Sequence, residues 1–282
     1  MPVTPATLYL VATPIGNLED ISQRSLRILN EVDCIAAEDT RHSGQLLKHF
    51  DIPTPQVSYH THNIARRTPE LVNRLAKGEA IALITDAGMP GISDPGVELV
   101  QACAAANIAV VPIPGPTAVI CALVASGLPT QRFVFEGFLP TTKKERREIL
   151  QLISNEARTV VFYEAPHRLV RTLNELLDCV EENRAIVLAR ELTKRYEEFW
   201  RGTVTEALEE FQARSPKGEF TIVLAGVEPS QPEVSDEDLL AQLRRLMDDG
   251  LSRSRAAKQL AKETGGDRRR IYQLSLDIED SD

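Results

Sequence analysis

Ala80-Ile81-Ala82-Leu83-Ile84 runs directly into Thr85-Asp86-Ala87-Gly88-Met89-Pro90-Gly91-Ile92-Ser93-Asp94-Pro95-Gly96, and Val97, Leu99, Val100, Cys103 and Ala104 follow at helical spacing. An unbroken apolar run bounded by turn residues is what a strand covered on both faces requires. The loop after it holds three Gly, two Pro and two Asp. Glycine reaches positive φ and lets backbone approach a ligand, and proline fixes φ at its own turns. At the carboxyl end of a buried strand such a loop is where open α/β sheets take their ligands; a rigid turn without a ligand is its other use. It is neither a phosphate loop ending in Lys-Ser/Thr nor a dinucleotide fingerprint. Asp86 and Asp94 repel phosphate and suit amines or ribose hydroxyls.

Outward from this loop the chain alternates strands and helices. Before it, Leu8–Ala12 and Cys34–Ala37 read as strands, Val57–Tyr59 as another, with helices over Ile21–Asn30, Ser43–Phe50 and Pro69–Ala76. After it come the helix Val97–Ala106, the strand Ala109–Ile113 and the helix Ala118–Ser126. This is the pattern of a helix-covered, mostly parallel sheet, an α/β fold. Gly127-Leu128-Pro129-Thr130 breaks it, so the N-terminal α/β domain is set at residues 1–126 and a second α/β domain at 127–226. The second starts with the strand Arg132–Phe138 and holds further strands at Thr159–Tyr163, Ala185–Ala189, Phe199–Gly202 and Phe220–Leu224, and helices over His167–Val180 and Thr203–Phe211. Residues 227–235 read as a linker with Pro and Glu. Residues 236–282 read as a small helical C-terminal domain of helix-turn-helix type, with helices at Asp236–Met247, Arg253–Glu263 and Arg268–Ser275.

The bulk numbers set limits. Of 282 residues, 43% are hydrophobic and 26% charged, as in ordinary globular chains. No run approaches the ~20 apolar residues of a membrane span, and no signal peptide is readable. Cys34, Cys103, Cys121 and Cys179 form no CxxC pair and read as buried free thiols of a reducing compartment, so a cytoplasmic location is expected. A net charge of −9 argues against a nucleic-acid coat over the whole surface. Residues Arg244 to Arg270 nevertheless carry nine Lys/Arg against four Asp/Glu, and Lys143-Lys144-Glu145-Arg146-Arg147 is a second basic run. Lys143–Arg147 and Arg253–Arg270 are expected to touch phosphates.

Four turns that follow strands share a composition: Thr13–Asn17, Asp86–Gly96, Pro112–Thr117 and Tyr163–Arg168. With both sheets parallel, these turns would meet at one cleft and hold a small molecule mostly by backbone. Glu38-Asp39-Thr40-Arg41 ends a buried strand, where Asp39 and Arg41 either meet substrate or form a helix cap with its partner. Arg190–Glu198 ends another and includes Lys194. His60 and His62 would share one side of a strand, but no third ligand follows, so no metal is expected. Ser93 and Ser126 have no readable His/Asp pattern beside them, so a hydrolase triad has no support.

Five ordered blocks, Ala12–Ile21, Glu38–Arg41, Asp86–Gly96, Phe162–Arg168 and Arg190–Lys194, resemble the ribosomal RNA small subunit methyltransferase I family, a branch of the tetrapyrrole methylase superfamily. The match runs from about Leu8 to Gly226 and more loosely into the helical tail. The resemblance implies two α/β domains with S-adenosylmethionine in the cleft between them, and usually a homodimer. It implies 2′-O-methylation of a cytidine ribose in small-subunit (16S) ribosomal RNA, with the small ribosomal subunit as substrate. The cofactor contacts it implies are Pro14, Ile15, Asp86, Met89, Ile92, Ser93, Thr117 and Ala118, with Phe162, Tyr163, Ala189, Phe220 and Thr221. This chain departs from the branch at Met89 and Gly91, and at Thr61 and Ile64.

An attacking ribose hydroxyl must lose its proton, and a positioned carboxylate, His or Lys can accept it. Asp39, Glu164 and Lys194 are the candidates by their places at strand ends, with Arg41 holding a phosphate or the carboxylate. Two rivals stand beside this reading. One is a corrin or porphyrin C-methyltransferase of the same superfamily; the other is a non-catalytic RNA-binding assembly factor.

Overall fold

The computed structural model describes residues 2–227, 235–264, 266–276 and 278, in two units, Met1–Gly226 and Val227–Asp282. Most of the linker expected at 227–235 lies outside the described residues.

The first unit carries two five-stranded sheets. In the first, β1 (Thr7–Val11), β2 (Cys34–Ala37), β3 (Gln56–Ser58), β4 (Ile81–Ile84) and β5 (Ala109–Ile113) lie in the order β3-β2-β4-β1-β5, with every recorded pairing parallel. The apolar runs of β2 and β4 are buried along their whole length, as strands with helices on both faces must be. Helices α1 (Gln23–Glu31) and α2 (Thr40–His49) pack Ile28, Leu29 and Leu47 on one face; α3 (Ile64–Ala76) and α4 (Val97–Ala105) pack Leu71, Leu75, Leu99 and Cys103 on the other. The adjacent strands β1 and β4 therefore send their helices to opposite faces. That makes their carboxyl ends a topological switch point, where a crevice opens.

Helix α5 (Ala118–Ser126) is apolar nearly all round. It lays Val119, Ala122 and Leu123 against Val161, Val187 and Val223 of the second sheet. That sheet holds β6 (Phe133–Phe138), β7 (Thr159–Glu164), β8 (Ala185–Arg190), β9 (Glu198–Thr203) and β10 (Phe220–Leu224), in the order β6-β7-β10-β8-β9. Its far face is covered by α6 (Lys143–Asn155), α7 (Pro166–Leu177) and α8 (Val204–Ala213).

The second sheet is mixed, which corrects the parallel arrangement expected from the sequence. Only β6 and β7 run parallel; β10 pairs antiparallel with β7 and β8, and β8 with β9. A central strand such as β10 is apolar on both faces whichever way it runs, so its pattern does not encode direction. The consequence is positional. Phe220 pairs with both Glu164 and Arg190, so the start of β10 meets the ends of β7 and β8 at one edge.

Smaller differences have local causes. Helix α3 begins at Ile64 and runs through Pro69, since a proline inside a helix forfeits one hydrogen bond without ending it here. His60 and His62 sit at a turn after β3 rather than on a strand, with ring centroids 6.0 Å apart. Cys34 and Cys103 are buried as expected, but Cys121 and Cys179 are only half-buried.

The second unit is a small helical body. Helix α9 (Asp236–Asp248), capped by the Ser235 side chain, packs with α10 (Arg253–Thr264) and α11 (Arg268–Leu276). Leu239, Leu243, Ala256, Ala257, Leu260 and Ile271 form its core. Arg255, Lys258 and Lys262 stay exposed on the outer face of α10. Among the described residues no helix is long and apolar enough to cross a membrane.

Candidate active site

The loops after β1 and β4 are clasped together at the switch point. Thr13 N–H donates to Gly88 O and Gly88 N–H donates to Thr13 O, each at 3.0 Å. The Thr13 hydroxyl, itself buried, adds a bond to Thr85 O at 3.0 Å. Gly88 takes φ +88°, which a side chain would oppose, and Ser93 accepts φ 62° despite having one. Strain of this kind, held by the surrounding structure, is what ligand loops store.

These loops form one wall of a cavity of about 450 Å³, within the ~300–1,000 Å³ common for small-molecule sites. From the first sheet's side, Ile15, Met89, Ile92, Ser93, Thr117 and Ala118 line it. From the second sheet's side come Tyr163, Ala189, Phe220 and Thr221. The rings of Phe135 and Phe138 lie 5.0 and 5.3 Å from the Tyr163 ring and fix it, and burial pushes its phenol up to about 12.

Three of the expected cofactor contacts fall elsewhere. Pro14 and Asp86 line a neighbouring cavity and not this one. The Asp86 carboxylate turns toward the end of β2, where it accepts the Asp39 N–H at 3.3 Å. Phe162 is fully buried, because strand alternation sends its ring to the opposite face of β7, into the core under α7. Sequence reasoning missed Leu192 and Glu219 as lining residues; Asp94 and Phe138 also line the cavity. Glu219 precedes an antiparallel strand, and only that direction brings it to this edge.

The electrostatics are acidic. Burial pushes Asp94 up to about 7, and the carboxylates of Glu38 and Asp86 add to the shift. Burial likewise raises Glu38, with Asp86 and Asp39 contributing, while its Oε2 accepts the Asp86 N–H at 3.3 Å. Of these carboxylates Asp94 lines the cavity itself, and its ionised form favours a cationic ligand.

The four expected catalytic residues separate. Asp39 caps α2 by accepting the Arg41 N–H at 2.8 Å and pairs with the Arg41 guanidinium at 2.6 Å, which holds its carboxyl well below the usual range. Neither residue lines the cavity. Glu164 does line it, yet its carboxylate is fully enclosed. Arg168 approaches it at 3.0 Å, Arg146 at 3.6 Å, and Thr172 donates its hydroxyl.

Arg146 is thereby removed from the basic surface run, since only 2% of it is exposed. Its spacing with Leu150 and Ile153 along the buried face of α6 was the signal for that. Lys143, Lys144 and Arg147 remain on the surface.

Lys194 lines the cavity and pairs with Glu219 at 2.8 Å and Glu191 at 2.9 Å. Burial works against its charge, but the two carboxylates outweigh it and raise the ammonium. Gly16 leaves the room: a Cβ there would overlap the Lys194 stem and stand 2.9 Å from Thr193 Oγ1. Lys194, Glu219, Ile15 and Ala87 also line the neighbouring cavity of about 510 Å³, which continues to α2. His60 and His62 line neither cavity. No group of three or more His, Cys, Asp or Glu among the described residues is placed to hold a metal.

Comparison with known proteins places this geometry. The family model "Tetrapyrrole (Corrin/Porphyrin) Methylases" matches residues 7–208, and the model "RsmI C-terminal HTH domain" matches residues 233–279. The ribosomal RNA small subunit methyltransferase I of Synechocystis sp. is 56% identical over 96% of this chain and 98% of its own. A uroporphyrin-III C-methyltransferase of Thermus thermophilus superposes with a TM-score of 0.56 at 22% identity, over 77% of this chain and 94% of that one. The structure of a Thermus thermophilus uroporphyrin-III C-methyltransferase complexed with S-adenosyl homocysteine gives 0.53 at 19% identity, over 77% and 96%. The last two show a shared fold. By the span of the first model and the identity to the Synechocystis protein, the chain belongs to the tetrapyrrole methylase family, in its ribosomal RNA small subunit methyltransferase I branch.

Proposed function

We propose that this chain is an S-adenosylmethionine-dependent methyltransferase of small-subunit (16S) ribosomal RNA, acting on the 2′-hydroxyl of a cytidine ribose. The observation that carries the reading is the acidic cavity behind the Thr13–Gly88 clasp, in a chain 56% identical to a protein of that name. The cavity fits the cofactor by its donor set. It offers Asp94 to a cationic molecule, and backbone and small side chains to a ribose.

The residues that would hold the cofactor are Ile15, Met89, Ile92, Ser93, Thr117 and Ala118 on one side, and Tyr163, Ala189, Phe220 and Thr221 on the other. When bound, the cofactor supplies an electrophilic methyl group on a sulfonium. The chain's own task is to align the acceptor and keep water out, which is worth up to ~7–11 kcal/mol in favourable cases. Lys194 remains protonated at neutral pH and so donates to and orients the acceptor oxygen rather than taking its proton. Glu219, beside Lys194 and facing the same space, accepts that proton. Glu164 positions the end of β7 through its arginines, and Asp39 and Arg41 cap α2.

The chain acts as a homodimer in the cytoplasm, with the assembled small subunit as its partner. The exposed cations of α6 and of α10 to α11 meet phosphates.

The test is methyl transfer from labelled S-adenosylmethionine to small ribosomal subunits lacking the modification, beside free ribosomal RNA and a tetrapyrrole. Label in the subunit supports the reading. Label in the tetrapyrrole alone returns the chain to the corrin and porphyrin enzymes, and none anywhere makes it a binding factor.

A further inference from the structure

The second cavity shares Lys194, Glu219, Ile15 and Ala87 with the first. Its outer wall is α2. His42, Gln45 and His49 recur there at intervals of three and four, so they stand on one helix face. Ser43 lies among them at 2% exposure, and its Oγ is buried without a hydrogen-bond partner. A buried hydroxyl without a partner is uncommon in native proteins and calls for one.

From this geometry we propose that the second cavity is the pocket for the acceptor nucleoside, taken out of its RNA stack, with α2 reading the base. The inference rests on the function proposed above. The Gln45 amide carries a donor and an acceptor side by side, which matches the amino group and ring nitrogen on the pairing edge of cytosine. The flanking imidazoles offer flat faces for stacking, as unstacked RNA bases are commonly held. The Ser43 hydroxyl supplies a further polar contact at the floor. The shared wall then puts the ribose beside Lys194 and Glu219, between base pocket and cofactor cavity.

Charge separates this occupant from a porphyrin or corrin precursor, whose rim of carboxylates needs several cations. Lys194 is the sole Lys or Arg among the described residues lining the cavity, and Glu191 and Glu219 already neutralise it, while Asp86 adds a negative charge. A nucleoside is neutral away from its phosphate, and those phosphates stay outside.

Single-turnover methyl transfer to subunits lacking the modification is to be compared for the wild type and Gln45→Ala, His42→Ala and Lys48→Ala. Equilibrium binding of labelled S-adenosylmethionine is measured on each. Gln45 and His42 are exposed side chains, so their removal leaves the fold intact, and Lys48 is exposed on the same helix outside both cavities. Without its grip on the base, transfer is expected to slow about ten-fold or more in Gln45→Ala and His42→Ala, with cofactor affinity unchanged and Lys48→Ala like the wild type. Wild-type transfer in both cavity variants overturns the assignment alone. So does a parallel fall in cofactor binding, which would make α2 a support for the first cavity. A wild-type protein that labels no subunit overturns the proposed function and this pocket with it.

Discussion

Thr13 and Gly88 exchange two backbone hydrogen bonds of 3.0 Å across the carboxyl ends of β1 and β4. This clasp joins two loops whose helices leave on opposite faces of the sheet, and it requires the positive φ of Gly88. An added Cβ would have room, with Ile15 Cγ2 at 3.6 Å, so the cost of Gly88→Ala is conformational. A non-glycine residue in left-handed backbone costs about 1–2 kcal/mol. We expect the loop of Gly88→Ala to relax in the free protein, so that cofactor binding, which must restore the clasp, weakens roughly ten-fold, since 1.4 kcal/mol is a factor of ten. Titration with S-adenosylmethionine checks it.

Glu164 is proposed to act through the structure around it. Its carboxylate is fully enclosed by Arg146, Arg168 and Thr172, and Arg146 is buried as well. Arg168 and Thr172 stay on Glu164 when Arg146 is removed, so the loss is that of one charged partner from a buried network, at about 1–3 kcal/mol. Arg146→Met should therefore lower stability by about that amount in denaturant titration. Were Glu164→Gln to abolish turnover at unchanged stability, its positioning role would be wrong.

Asp94 makes the apo protein sensitive to pH. Between the ordinary aspartate value and about 7, the folded chain retains a proton on Asp94 that the unfolded chain has released. Its contribution to stability therefore declines as pH rises through that window. Cofactor affinity runs the other way, because the ionised carboxylate attracts a cation, so binding should tighten as pH passes through about 7. Asp94→Asn should flatten both profiles, measured by thermal melts and by binding isotherms between pH 5 and 8.

Lys194 and Glu219 should respond differently to substitution. Glu219→Gln removes the proposed proton acceptor while keeping the shape, and loss of general-base catalysis costs typically ~10²–10⁴-fold in rate. Higher pH should partly restore this variant by favouring loss of the hydroxyl proton. Lys194→Met should lower the rate without that recovery. Single-turnover rates across pH distinguish the two.

Binding to the subunit should weaken as salt rises, since cations that neutralise phosphates release counterions. Replacing Arg255, Lys258 and Lys262 with Gln should lower the slope of log affinity against log salt by up to about one unit for each phosphate no longer neutralised. Equal slopes would remove the helical unit from the interface.

Much of this was legible in the sequence because burial on both faces writes itself plainly. Ile81–Ile84 and Cys34–Ala37 could only be interior strands, and the Gly/Pro/Asp loop after Ile84 marked the cavity. Strand direction was not legible: Phe220–Leu224 is buried throughout and reads alike in either sense. That ambiguity hid Glu219, whose place depends on β10 running antiparallel. Glu164 looked chemically active because a carboxylate ending a buried strand needs a reason. The structure pairs it with Arg168 and with Arg146, the latter placed in a basic run but on the apolar side of α6. Asp39 shows the same ambiguity, since a helix cap and a catalytic acid share one residue type and one position.

The most direct test of the central claim is nucleoside analysis of 16S ribosomal RNA from subunits treated with this protein and S-adenosylmethionine. We expect 2′-O-methylcytidine to appear, and to be missing when cofactor is omitted. A methyl group on a base atom, or on no nucleoside at all while a tetrapyrrole takes the label, would contradict it.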